Sequence, residues 1–157
     1  MIEPTRNDLL TCLRVERWAD TVASRAYGGM LELERAAVSA ATPLTPTEIE
    51  EALAAHPRIG DRREGEDAEA RFSRAEQASS ESEDEALAAH LADLNALYEK
   101  RFGRVFLIRA AGRSRAEIVA ELERRLGNDD VAELAEVADQ LRGIALLRLR
   151  QIYGGES

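Results

Sequence analysis

Apolar residues in this chain return every three or four positions and almost never every second one. That interval belongs to amphipathic helices, whereas a half-buried strand alternates. Between positions 86 and 102, Leu87, Leu91, Leu94, Leu97 and Tyr98 keep it without interruption, and Gly103 follows as a stop. The start signals agree. Thr45, Ser73 and Ser114 are each followed three residues later by a glutamate, namely Glu48, Glu76 and Glu117. This is the capping-box spacing, in which a hydroxyl and a carboxylate satisfy the free N–H groups of a helix start. Pro46 suits a first helical position, and Pro57 disfavours helical geometry at His56. The spacing therefore predicts helices over 8–26, 30–40, 46–55, 86–102, 114–127 and 129–153, with loops at 42–46 and 58–70. Val105 to Ile108 is a short apolar run with no second run to pair with, and reads as a buried extended or irregular connection. An all-α, single-domain helical bundle of about seven to nine helices over residues 1–157 is expected.

The chain has 157 residues, 45% of them hydrophobic, which suits one core. Only Lys100 among its 21 basic residues is a lysine, and 30 acidic residues bring the net charge to -9. An acidic surface repels phosphates, so nucleic acid is not an expected partner. No stretch approaches the roughly 18 apolar residues that span a bilayer. Residues 1–20 lack the order of a signal peptide and Glu156-Ser157 is not a peroxisomal ending, so a cytoplasmic location is expected. Cys12 is the single cysteine, and His56 and His90 are the two histidines, without metal-ligand spacing. No glycine-rich phosphate loop occurs either, so neither a metal nor a nucleotide cofactor is expected.

Three places could carry chemistry. His56 ends a helix beside a proline; its imidazole suits proton transfer near neutral pH, or it simply binds the helix's terminal carbonyls. Ser73, Glu76 and Gln77 could offer an acceptor, an amide and backbone N–H groups to a polar ligand, or form a plain capping box. Arg148 lies on the apolar face predicted from Leu134, Ala138, Leu141, Ala145 and Ile152, where a guanidinium needs an anionic partner, either a protein carboxylate or a ligand. Arg142 and Arg150 read as solvated charges, and Leu146 and Leu147 hint at a second buried surface such as a subunit interface. His90, near Leu87 and Leu94, reads as structural, and the acidic run at 81–85 as a favourable charge ahead of a helix start.

Several short motifs, in order, carry a resemblance. They are Arg17-Trp18; His56-Pro57 with Ile59-Gly60; Ser73-x-x-Glu76-Gln77; Leu94-Asn95-x-x-Tyr98; Phe102-Gly103-x-x-Phe106; Arg125-Leu126 with Asn128; and Ile144-x-x-x-Arg148-Leu149. The chain resembles the 2-oxo-4-hydroxy-4-carboxy-5-ureidoimidazoline (OHCU) decarboxylases, which complete the conversion of urate to allantoin. Arg25-Ala26-Tyr27 and Ala78-Ser79-Ser80 depart from the family pattern. The resemblance implies an all-α, dimeric enzyme without metal or organic cofactor, acting on a small anionic ureidoimidazoline. It implies that His56 is the proton donor and that Glu76 and Arg148 are its catalytic partners. Pro57, Ser73, Gln77 and the segment of Phe106, Leu107, Ile108, Arg109 and Ala110 would contact substrate, the segment largely through its backbone. Two other classes fit the residues alone: a non-catalytic helical interaction module, and another cofactor-free acid/base enzyme acting on ureido compounds.

Overall fold

The computed structural model describes residues 1–56, 81–110 and 112–154, leaving aside the side chains of 81–84. Among these residues stand seven helices: α1 (Arg6–Cys12), α2 (Glu16–Val22), α3 (Met30–Ala40), α4 (Pro46–Leu53), α5 (Glu81–Phe102), α6 (Arg115–Arg125) and α7 (Asp130–Tyr153). The only extended pairing among the described residues is one antiparallel bridge between Ile2 and Tyr27. The expected all-helical class is what the structure has. The predicted loop at 58–70 and the Ser73 capping box lie outside the described residues.

The two remaining capping boxes form as the spacing predicts. Thr45 Oγ1 accepts from the Glu48 N–H while Glu48 accepts from the Thr45 N–H, and Ser114 and Glu117 do the same at the start of α6. Gly103, at φ +74°, closes α5 in the left-handed region that a side chain would strain. Two boundaries differ from expectation. The helix predicted over 8–26 is interrupted, because Leu13 and Val15 are extended and both fully buried while Arg14 faces out. Two residues apart on a helix they would point about 200° from each other, and extended backbone alone sends both into the core. The acidic run at 81–85, read as preceding a helix, belongs to α5 itself.

The chain divides into two compact units. The first comprises Met1–His56 and Leu134–Ser157. Here α1 packs on α2 and α2 on α3, around Leu9, Leu13, Trp18, Leu33, Ile49, Leu141 and Leu149, all 2% exposed or less. Its buried polar groups are satisfied: Trp18 Nε1–H donates to the Ala37 carbonyl at 2.9 Å and the Tyr27 hydroxyl to the Val22 carbonyl at 2.7 Å. On α7 the buried face is Val137, Ala138, Leu141, Ile144, Ala145 and Leu149, rotated from the predicted stripe so that Leu134 is half-buried and Ile152 exposed. Arg142 is not a plain solvated charge, since its guanidinium donates to the Ala41 carbonyl and pairs with Asp139. Arg150 is exposed as expected, and pairs with Glu34.

The second unit, Pro57–Glu133, packs α5 against α6. Its core joins Leu91, Leu94, Tyr98 and Phe102 of α5 to Phe106 and Ile108 of the connection and to Ile118, Val119 and Leu122 of α6. The Tyr98 ring lies 4.7 Å from that of Phe102 and meets Phe106 edge-on at 5.2 Å. Residues 105–110 form the irregular, largely buried connection that the sequence implies. His90 is not packed between Leu87 and Leu94; half of its side chain is exposed and it meets Glu123 at 3.1 Å.

Candidate active site

His56 is delivered by α4. The capping box and Pro46 start that helix, an Arg17–Glu48 ion pair at 2.5 Å fixes its first turn, and Ile49, Ala52 and Leu53 bury one face. The helix unwinds over 54–56, with the His56 N–H donating to the Leu53 carbonyl at 3.0 Å. The imidazole is half-buried, and burial, followed by the positive charge of Arg148, lowers its pKa from 6.5 to about 4. At physiological pH it is neutral.

Arg148 is half-buried on α7, at the margin of the apolar face, so it is less deeply set than the sequence suggests. Its Nη1–H donates at 3.0 Å to the Thr11 carbonyl in the last turn of α1, where a helix end presents unsatisfied carbonyls and partial negative charge. The neighbouring Cys12 is buried, and burial pushes its thiol up to about 11 against an opposing pull from Arg148. The guanidinium is thus a fixed cation acting on a neutral imidazole and a neutral thiol. That combination suits an anion that needs both a counter-charge and a proton.

The other implied residues fall in two groups. Pro57, Ser73, Glu76 and Gln77 lie outside the described residues. Of the segment in the second unit, Phe106, Leu107 and Ile108 are buried, Ala110 is half-buried and Arg109 exposed. Phe106 and Ile108 commit their side chains to the core, so what this stretch can offer a ligand is mainly backbone. Among the described residues no three His, Cys, Asp or Glu side chains stand close enough to hold a metal ion.

Sequence reasoning passed over one polar cluster. Arg125 and Glu133 are both fully buried and joined at 2.5 Å, with the Tyr98 hydroxyl and the Asn128 amide also donating to Glu133. The signal was available. Arg125 follows Ile118 by seven and Leu122 by three, the same helical phase that singles out Arg148, and Glu133 precedes Val137 by four.

Comparison with known proteins gives this arrangement its context. The family model described as OHCU decarboxylase matches residues 3–150. A Haloferax volcanii protein named 2-oxo-4-hydroxy-4-carboxy-5-ureidoimidazoline decarboxylase is 31% identical over 136 residues, which is 85% of this chain and 79% of that one. The Arabidopsis thaliana uric acid degradation bifunctional protein TTL is 34% identical over 110 residues, covering 68% of this chain but 34% of its own length. Among solved structures, an OHCU decarboxylase crystallised in the presence of (S)-allantoin superposes with a TM-score of 0.78 at 25% identity, over 94% of this chain and 98% of that one. Fold and sequence together set this chain among the small all-helical decarboxylases of urate degradation. It belongs to the OHCU decarboxylase family.

Proposed function

We propose that this chain decarboxylates 2-oxo-4-hydroxy-4-carboxy-5-ureidoimidazoline to (S)-allantoin, without metal or organic cofactor. The observation that carries the reading is the setting of His56: a half-buried imidazole kept neutral by burial and by the positive charge of Arg148, in a chain matched by the family over residues 3–150. Arg148 binds the substrate carboxylate and stays with the charge that develops as CO2 leaves. The C–C bond breaks with its electron pair passing from the hydroxyl-bearing carbon into the adjacent C=N bond, which leaves an enol. A proton from His56 then forms the C–H bond on one face of the ureido-bearing carbon while the hydroxyl gives up its proton to become the ring carbonyl, so that one hand of allantoin forms.

The depressed pKa of His56 fits this sequence of events. With no anion bound, Arg148 repels a second positive charge and the imidazole stays neutral. A carboxylate on Arg148 offsets that repulsion, so substrate binding raises the affinity of His56 for the proton that later goes to carbon. Glu76 accepts from ureido or ring N–H groups and sets the scissile bond out of the ring plane. Ser73, Gln77, Pro57 and the backbone of 106–110 complete the contacts in this reading, whose support is the family resemblance. On the same reading the protein is a cytoplasmic homodimer; Leu31, Val38 and Leu146 line an open groove on its first unit, and Leu31 is 61% exposed.

The test is optical. Allantoin is generated from urate by urate oxidase and hydroxyisourate hydrolase and followed by circular dichroism, with and without this protein. A rotatory signal that appears only with the protein is expected. Racemic allantoin in both samples would remove the assignment, and sedimentation of the same preparation reports the dimer.

A further inference from the structure

Among the described residues, the deepest charges in the second unit belong to no residue of the proposed mechanism. Arg125 ends α6 and Glu133 sits in the first turn of α7; their side chains are 0% exposed. Glu133 accepts from Arg125 Nε–H and Nη2–H, from the Tyr98 hydroxyl at 2.5 Å and from Asn128 Nδ2–H at 3.1 Å. Tyr98 keeps its proton, its pKa being raised by burial and by Glu133.

One bond of this cluster does something the others do not. Arg125 Nη1–H donates at 2.8 Å to the carbonyl of Leu107, 18 residues earlier. The guanidinium carbon also lies 4.6 Å from the centre of the Phe106 ring, which meets the ring of Tyr98 edge-on. Closing the short link between α6 and α7 needs only Arg125, Asn128 and Glu133. The reach to Phe106 and Leu107 instead ties down a stretch of irregular backbone that has no helix to fix its dihedrals. A buried ion pair is a poor source of stability compared with apolar side chains of the same volume, so its geometry is the better reason for it. The planar fork can hold Glu133 with one edge and Leu107 with the other, and a lysine could not do both.

We propose that Arg125, held by Glu133 and Tyr98, is a positioning residue that fixes the backbone of residues 106–110 in the conformation that meets substrate. This rests on the reading of that segment as a substrate contact. It gives a purpose to the Tyr98, Phe106, Arg125 and Asn128 motifs, which the chemistry itself leaves unused.

The test replaces the cluster with apolar side chains of similar size, in the triple variant Tyr98→Phe, Arg125→Met, Glu133→Leu, which removes both charges together. Amide hydrogen exchange by mass spectrometry is read on peptides covering 105–110 and on peptides from α5 and α6, alongside kcat and KM. We expect a folded protein with protection lost selectively at 105–110, and kcat down about 10- to 100-fold, as small misplacements of a substrate-bearing group produce. Unchanged protection at 105–110, a loss spread equally over α5 and α6, or a normal kcat in the folded variant each overturns the proposal. If the triple variant does not fold, Arg125→Lys is read in the same way. If neither folds, the cluster holds the whole unit and the proposal is equally overturned. Hydrogen exchange needs no substrate, so it judges the positioning even if wild type forms no (S)-allantoin, a result that counts against the proposed reaction instead.

Discussion

Arg148 owes its place to a carbonyl at the end of α1, which holds one of its guanidinium nitrogens. In the proposed reaction the rest of its role is to grip a carboxylate in one orientation. Arg148→Met should therefore fold and lose activity by about 10²- to 10³-fold, the scale on which single electrostatic contacts to a transition state act. Arg148→Lys should recover little of it, because a mobile ammonium fixes no orientation. Thermal melts and coupled assays on both variants decide the matter, and a folded Met variant at near wild-type rate would remove the anion-binding role. For His56, replacement by Asn should cost about 10²- to 10⁴-fold, the usual worth of a general acid. Its stability signature has a definite sign. The unfolded histidine takes a proton near 6.5 and the folded one near 4, so this group supports folding fully above 6.5 and loses that contribution as pH falls toward 4. Denaturant melts across that window should show wild type losing more stability than His56→Asn, and equal slopes would contradict the burial of the imidazole. Both residues could be singled out beforehand from local cues: a histidine ahead of a proline, a cation in apolar phase. The neutrality of His56 could not, because it comes first from burial in the folded chain and then from a charge 92 positions away.

At the scale of elements, the sequence was most readable where a helix carries its own start signal. Ser114 and Glu117 bind each other's backbone N–H groups within one turn, so nothing distant has to be known. Ser114→Ala should lower stability by about 1 kcal/mol, within the usual range for lost N-caps. Urea denaturation measures it, and a change below a few tenths would mean that Glu117 alone suffices. The interruption between α1 and α2 is the opposite case. Neither Pro nor Gly marks it; it exists because the core receives both Leu13 and Val15, a demand made by tertiary packing that overrides helical composition. The rotation of the buried face on α7 away from Leu134 and Ile152 has the same origin, since packing and not the alanine- and leucine-rich sequence alone selects which residues are covered. Arg125 is the reverse case, a charge whose apolar phase is legible from Ile118 and Leu122 alone.

For the molecule as a whole, each of the two units has its own buried residues, and the family match runs through both, from residue 3 to residue 150. A single folding domain predicts that they melt together. Trp18, the one tryptophan, is buried in the first unit, so its fluorescence reports that unit while far-ultraviolet circular dichroism reports all helices. Coincident unfolding curves are expected, and separated midpoints would show two domains. The lone thiol adds a reporter of another kind. Cys12 is 1% exposed and titrates only near 11, so a thiol reagent in neutral solution meets almost no thiolate and almost no surface. Labelling must wait until the end of α1 swings open, which also takes the Thr11 carbonyl away from Arg148. The labelling rate is then a clock for how often the anion site comes apart, and an unreactive carboxylate analogue of the substrate should slow it in proportion to its occupancy.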